Sequence, residues 1–598
     1  MQRMKVLPVS PRFPETFWGF RESLPYVRKD ALMPPTGLAT AMAMLPEDQF
    51  DVQPIADLNV EPLTDEQIAN ADLIATSTMI IQEGSHNKVL RRAHAMGKKV
   101  AAGGSFPTSY PERNSNADYI IAGEAELTLP PFLEDLLRGN PQRIYTEKSV
   151  AGRTHVELTR GGKPILANTP LPRWDLLDLG RYASAAIQYS RGCPHDCEFC
   201  GITDLFGREP RTKIPRQMLA EFGALQKSGY KGSVFVVDDN FIGNLRDVRE
   251  LLPLLARWQE EHGYPYPLYT EASTNLAWDG NQDIRDGMVK AGFTEVFVGF
   301  ETNDKGGLKK MGKTQNLRMD PLKAVRIIQN AGLEVTGGFI VGSDGEQPGS
   351  TEKLFDFIQE AGIVIPMAGL LTAIKGTRLY DRLEKEGRLR GGVQGSNTHH
   401  LEFNFDPEQD EEVLIEGYKR LLERSFEPRN YYARDRVLQR NLGRRPGGRE
   451  ANLEGALALA KSIGTQLLAR GGLEYARHLT QTALTNPKYF PDAVSKAVRL
   501  RHFRSITDEM LRAEDYISRT ESLYEQFAAR AREISTRYGK NVGKRVRLIS
   551  KAAQRVLDRA ERGYEKLHED FRVSRAEVAL KHLRERITTE TAKYGVPG

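Results

Sequence analysis

Cys193, Cys197 and Cys200 are the three cysteines of a 598-residue chain. They stand in Tyr189-Ser-Arg-Gly-Cys193-Pro-His-Asp-Cys197-Glu-Phe-Cys200-Gly201, a C-x3-C-x2-C spacing. A disulfide scaffold scatters an even number of cysteines, so these thiols read as reserved for one task in a reducing compartment. Three thiolates can hold three irons of a cubane cluster and leave the fourth iron open. A catalytic metal centre needs that open position, whereas a structural site is closed. A zinc site that recruits His195 as fourth ligand competes with this reading, at a cramped spacing. A ferredoxin needs a fourth cysteine for its cluster. A nucleophilic thiol would not need two companions this near.

Such a loop has to be presented by something rigid. It directly follows a strand-like segment, 185–190, and further candidate strands occur at 233–238, 268–273, 295–300, 334–341 and 367–373. Helical patterns separate them, so six βα units in a row predict a partial (β/α)6 barrel whose working face is the C-terminal end of its strands. Those ends carry Asp238 and Asp239, Glu271 and Ser273, Glu301, and the run Gly338-Phe-Ile340-Val-Gly342. Upstream, strand-like segments at 5–10, 50–55, 71–77, 98–102 and 118–121 alternate with helical ones. That alternation predicts an α/β domain with a parallel, doubly wound sheet, which binds ligands at its strand C-termini. From about 405 onward the pattern is helix only. The chain thus divides into a Rossmann-like domain over 1–145, a linker over 146–182, the barrel over 183–400 and an all-helical domain over 401–598.

Composition narrows the classes. Hydrophobic residues make up 40% and charged residues 27%, which suits a globular protein rather than a disordered one. No apolar run reaches the roughly 18 residues of a membrane span. The N-terminus does not read as a signal peptide. A cytoplasmic enzyme is expected, with membrane association compatible with a basic, amphipathic C-terminal tail. The formal net charge of +5 is too mild to suggest a nucleic-acid partner. No G-x-G-x-x-G follows the first strand, so a dinucleotide site is a poor reading.

The cysteine motif, with Phe199 before its last cysteine, resembles the radical SAM signature. In that family the open iron is chelated by the amine and carboxylate of S-adenosylmethionine. The resemblance places Phe199 and Gly201 beside this cofactor, together with Asp238, Asp239, Glu271, Ser273 and Glu301. It also assigns Gly338, Ile340 and Gly342 to the adenine side. An α/β domain directly before such a barrel resembles the cobalamin-binding domain of the B12-dependent class. The corresponding residues are Pro35, Gly37, Ser77, Thr78, Met79, Gly103, Gly104 and Glu124. The loop Asp57-Leu-Asn59-Val-Glu-Pro62 matches the place of the D-x-H-x-x-G motif, with Asn59 where that motif has its cobalt-ligating His. A histidine below cobalt is therefore not expected, although Asp57 and Asn59 remain candidates for the cobalamin site. Residues 4 to about 440 resemble a subgroup that includes hopanoid methylases and archaeal lipid ring-forming enzymes, with Lys375 where relatives often have Pro. His399, His400, Tyr431 and Tyr432 are candidates for a substrate pocket.

The resemblance implies three cofactors: a [4Fe–4S] cluster, S-adenosylmethionine and cobalamin. It implies methylation of an unactivated carbon of a small or lipid-like substrate, through a 5′-deoxyadenosyl radical and methylcobalamin. Cyclisation, rearrangement or oxidation without methyl transfer is the alternative. Methylthiolation requires a further cysteine set, which the chain lacks. A sensory, cofactor-binding protein is the rival from another class. A flavodoxin or ferredoxin is the implied electron donor.

Overall fold

The computed structural model describes residues 3–153, 156–391, 401–446, 453–572 and 575–596; His399 and His400 lie outside them. The chain forms two compact units, Met1–His502 and Phe503–Gly598.

The first unit opens with a parallel sheet of β1 (Met4–Ser10), β2 (Phe50–Val52), β3 (Ala56–Asp57), β4 (Leu73–Ser77), β5 (Lys99–Gly103), β6 (Tyr119–Ile121) and β7 (Ile144–Tyr145). Its order is β2-β1-β4-β5-β6-β7, with β3 also paired to β1. The chain moves outward from β1 to β2, then crosses back to β4. The switch point therefore lies between the C-terminal ends of β1 and β4, where a doubly wound sheet leaves its crevice. Both faces are covered, one around Phe50, Phe132 and Tyr145, the other around Ile74, Leu90 and Ile120.

Next come β8 (Ser184–Ile187), then β9 (Ser190–Arg191) and β10 (Arg211–Thr212), a two-residue antiparallel clasp. The strands β11 (Ser233–Val236), β12 (Leu268–Ala272), β13 (Phe293–Glu301), β14 (Glu334–Val341) and β15 (Pro366–Leu370) follow. The second sheet runs β8-β11-β12-β13-β14-β15, all parallel and in chain order. Its two outer strands are not paired to each other, so the barrel is open. Local chemistry sets the crossovers: in the helix Pro321–Ala331, Asp320 caps the Lys323 amide, Pro321 opens the first turn, and Gly332 at φ 110° ends it.

The change to helices near 401 is no break in packing. Tyr418 donates to the Ala368 carbonyl at 3.0 Å, and buried Arg434 reaches the Val364 carbonyl and Gln359. Tyr431 and Tyr432 are 0% and 2% exposed, so they are core residues of this packing and do not line a pocket. The helix Phe490–Tyr538 begins by sealing the barrel floor, where Lys496 pairs with Glu334 at 2.8 Å and Arg499 with Glu295 at 3.4 Å. The second unit holds the rest of that helix with Val542–Glu565, Glu569–Arg572 and Arg575–Ala592, around Phe527, Ile534, Ile549, Leu583 and Ile587. Among the described residues no helix is long and apolar enough to cross a membrane.

Candidate active site

The cysteine loop leaves β8 through a strap. Asp238 accepts from the Tyr189 amide and from Ser190 Oγ, both at 2.7 Å. Asp239 accepts from the Gly192 amide at 3.2 Å. The β9–β10 clasp then closes the base of the loop. Gly192 is obligatory there: its φ is 94°, and a Cβ would lie 2.9 Å from the Gly207 carbonyl. Across the loop, the Glu198 amide donates to the Met311 carbonyl at 2.8 Å, and the Leu379 amide to the Glu198 carbonyl at 3.0 Å.

Cys193, Cys197 and Cys200 are half-buried in this frame. Asn240 Nδ2 lies 3.8 Å from Cys193 Sγ, and Gln315 Nε2 lies 3.7 Å from Cys197 Sγ. Burial pushes the Cys193 thiol up and Cys200 to about 12. Ionising either needs a positive partner, which iron supplies. Among the described residues, these sulfurs do not form a set within 4.8 Å of one another, as ligands of one ion would. His195 is not turned toward them as a fourth ligand. Its Nε2 lies 3.2 Å from Ser273 Oγ, which is also joined to Asn240 and Asn275. The residues fit a cluster rather than a single zinc.

The strand ends carry an uneven charge. Burial pushes Asp239 up to about 6. Burial, reinforced by Asp239 and Asp238, pushes Glu271 up to about 8. Glu301 sits at φ 63°, where a bulge breaks the β13–β14 register. That turn aims its carboxylate at Lys313 Nζ, 2.5 Å away. Gly299 leaves the space: a Cβ there would lie 2.5 Å from Glu301 Oε1 and 3.0 Å from Lys313 Nζ. Lys313 also lies 5.6 Å from the centre of the Phe199 ring. Burial works against its charge, but Glu301 and the thiol of Cys197 hold it above the ordinary lysine range. Gly201 precedes the short helix Ile202–Phe206 beside Thr377.

Three of the residues assigned to S-adenosylmethionine are committed elsewhere. Both Asp238 oxygens hold the strap. A Cβ on Gly338 would meet the Phe297 ring at 2.5 Å, and one on Gly342 the Phe403 ring at 2.5 Å, so aromatic rings already cover both glycines. Glu271, Glu301 and Ile340 lie at or near the C-terminal ends of β12, β13 and β14, and Phe199, Asp239 and Ser273 lie in the loops that follow β9, β11 and β12.

Below that mouth the strand faces alternate. Val234, Val236, Leu268, Val296 and Val298 are buried toward the helices. Phe235, Tyr269 and Phe297, on the other face, stay half-buried inside the open barrel. Phe235 stacks on Tyr269 at 4.8 Å and 10°, and Trp18, 42% exposed, meets Phe297 edge-on at 6.0 Å. This is an accessible aromatic lining.

In the first domain, Gly37 has open space above it, and Met79 is 53% exposed beyond β4. Gly104, at φ 99°, lets the β5 turn pass so close to Thr78 that a Cβ would lie 2.6 Å from its carbonyl oxygen. Gly103 continues β5 beside Ser77, and Pro35 precedes the helix Thr36–Met42. Among the described residues, the buried hydroxyls of Thr76 and Thr78 have no hydrogen-bond partner. An open glycine, a close-approach turn and orphan hydroxyls at the switch point fit a large ligand with a polar tail.

Three candidates there are corrected. Asp57 is buried and accepts from the Asn59 amide at 3.0 Å, Asn59 Nδ2 at 2.6 Å and Tyr182 at 2.9 Å. Asn59 Oδ1 in turn accepts from the Phe13 amide at 2.8 Å. Glu124 is 1% exposed at its side chain and is held by Arg191 at 2.7 Å and Arg211 at 2.9 Å. In this structure these residues are engaged in locking loops. Lys313, Gln315 and the Arg191–Arg211 pair are the site residues that sequence reading missed. Nothing in their local sequence distinguishes them from solvated loop residues.

Family models match three stretches: the radical SAM superfamily over 187–358, the B12 binding domain over 30–133, and a domain of unknown function, DUF4070, over 377–516. An uncharacterized methyltransferase of Synechocystis sp. is 37% identical over 530 residues, covering 86% of this chain and 95% of its own. The hopanoid C-2 methylase of Rhodopseudomonas palustris is 35% identical over 429 residues, 71% of this chain and 77% of its own. Among solved structures, the cobalamin-dependent S-adenosylmethionine radical enzyme OxsB, with aqua-cobalamin and S-adenosylmethionine bound, is similar in fold. Its TM-score is 0.54 at 14% identity, covering 98% of this chain and 84% of that one.

Proposed function

The chain belongs to the B12-dependent radical SAM enzymes, and from that premise we propose that it methylates an unactivated carbon of an apolar, lipid-like substrate. The accessible aromatic lining of the open barrel carries the substrate half of this reading. Phe235, Tyr269, Phe297 and Trp18 offer flat apolar faces and few hydrogen-bonding groups, which suits a hydrocarbon skeleton better than a polar metabolite. The names of the relatives support the methyl-transfer half.

When bound, the cluster, S-adenosylmethionine and cobalamin supply radical initiation and the methyl carrier. The chain's own residues position and insulate. Cys193, Cys197 and Cys200 would hold three irons, with Asn240 and Gln315 donating to sulfur. Lys313, fixed by Glu301 beside Phe199, would place a positive charge where the amino-acid end of the cosubstrate binds. Glu271, pushed up to about 8, keeps its proton near neutral pH and can donate a hydrogen bond at its carboxyl oxygen. The Lys496–Glu334 and Arg499–Glu295 pairs close the floor against water. The thiol frame calls for a one-electron donor, for which a flavodoxin or ferredoxin is the expected class.

Anaerobically reconstituted protein, given a strong reductant and a polycyclic lipid, is expected to release 5′-deoxyadenosine and to add the mass of one CH2 to the lipid. Deoxyadenosine with no mass gain on any lipid offered would instead favour ring closure, rearrangement or oxidation.

A further inference from the structure

The helix Val542–Glu565 in the second unit carries Lys544, Arg547, Lys551, Arg555, Arg559 and Arg562, all exposed. Successive steps of three or four residues place them in one stripe along one face. The opposite face, with Ile549, Ala553 and Ala560, is consumed in the core against Phe527, Ile534, Leu583 and Ile587. Of the acids on this helix, Glu561 holds Arg584 at 2.8 Å, Asp558 accepts from the neutral Gln554 at 2.7 Å, and Glu565 lies exposed at its C-terminal end, so the cations remain in excess. Among the described residues, Arg547, Lys551, Arg555, Arg559 and Arg562 have no carboxylate within ion-pair reach. Like charges at this spacing weaken a helix, and here the penalty recurs at every step. An external polyanion would relieve it.

We propose that this stripe docks the protein on an anionic phospholipid surface. A straight row of cations about 27 Å long matches a plane of headgroups. The apolar face is occupied, so docking is electrostatic and not by insertion. No aromatic residue interrupts 543–563, whereas single-stranded nucleic acid is gripped by stacking rings among the cations. The choice of a bilayer rests on the lipid-like substrate proposed above, which such a surface would supply.

The test is flotation of the full-length protein with vesicles. Phosphatidylcholine alone is expected to leave it in solution. Replacing part of it with phosphatidylglycerol is expected to carry it up, and molar salt to release it. Each lost cation should cost roughly fivefold in partition. The quadruple variant Arg547→Gln, Lys551→Gln, Arg555→Gln, Arg559→Gln should fall on the order of a few hundredfold. The charge-keeping set Arg547→Lys, Arg555→Lys, Arg559→Lys should bind like wild type, which separates charge from folding. The proposal is overturned by wild-type protein that ignores phosphatidylglycerol, by a quadruple variant that still floats, by loss of binding in the lysine set, or by preference for a short DNA duplex over vesicles. None of these readouts uses substrate turnover, so failure here is distinct from failure of the methyl-transfer reading.

Discussion

Lys313, which the sequence left unmarked, joins the strand end at Glu301 to the cysteine loop at Phe199. Its ammonium, over the half-buried Phe199 ring, meets the buried Glu301, which sits on a bulge in a strained backbone region. Replacing it with methionine leaves the Glu301 carboxylate buried without a partner, which costs about 3 kcal/mol. Lys313→Met is expected to lower the melting temperature of the apoprotein and to weaken S-adenosylmethionine binding about tenfold, the energy of one charge-assisted contact; anaerobic calorimetry reads the second effect. Unchanged affinity would show Lys313 to be purely structural. Glu271 gives a pH test. Its folded-state value, pushed up to about 8 from 4.5, means that the folded chain binds its proton more tightly. The stability this contributes is complete below pH 4.5 and is lost as pH rises toward 8. Glu271→Gln is therefore expected to melt higher than wild type at pH 8 and to show no such gain near pH 4.5. The cysteines were legible because spacing alone defines their chemistry. Lys313 was not, because only a bulge and a fold-back bring it to the cluster loop.

Elements show a similar division. The parallel sense of both sheets followed from alternating strand and helix patterns, and the five expected upstream strands lie within a few residues of their expected places. The β9–β10 clasp escaped because two-residue strands carry no periodicity. Phe297 and Phe403 escaped because nothing local tells that a ring will fill the space above Gly338 or Gly342. Glycine chemistry at the two binding turns is testable. Gly104→Ala forces a side chain into a φ of 99° and against the Thr78 carbonyl at 2.6 Å. The combined strain is about 2–3 kcal/mol. The variant should lose cobalamin on gel filtration while keeping the iron content of wild type. Gly192→Ala should do the reverse, because its Cβ would collide with the Gly207 carbonyl under the cysteine loop. Loss of both cofactors in either variant would mean that the two turns are not separable.

At the scale of the molecule, a four-part reading of the chain understates how the first 502 residues hold together. Asp57 of the α/β domain fixes Tyr182 of the linker. Lys375, after β15, pairs with Glu112 at 2.6 Å and donates its amide to the Tyr110 hydroxyl at 3.1 Å. A buried ionic tie adds to these: Arg191 bridges Glu124 and Glu126 at 2.7 and 2.9 Å, and Arg211 joins Glu124 at 2.9 Å. Both arginines belong to the clasp that frames the cysteine loop, so the domain that fits the corrinoid is bolted to the loop that fits the cluster. Sequence reading assigned Glu124 to a ligand by resemblance to the cobalamin-binding domain; its partners lie more than sixty residues away and could not be seen. Deleting residues 1–150 is consequently not a clean probe of cobalamin binding, since it strands two buried guanidinium groups beside the cluster loop. Glu124→Ala in the full chain frees Arg211 from its carboxylate and leaves Arg191 on Glu126 alone. It should cost about 3–5 kcal/mol, the penalty of breaking a buried ion pair. If the tie sets the loop, iron retained after anaerobic reconstitution should fall along with cobalamin. Glu126→Gln, which leaves Glu124 to both arginines, should keep most of each. Iron retention at wild-type levels in Glu124→Ala would show that the strap of Asp238 and Asp239 suffices to hold the cysteine loop without the first domain.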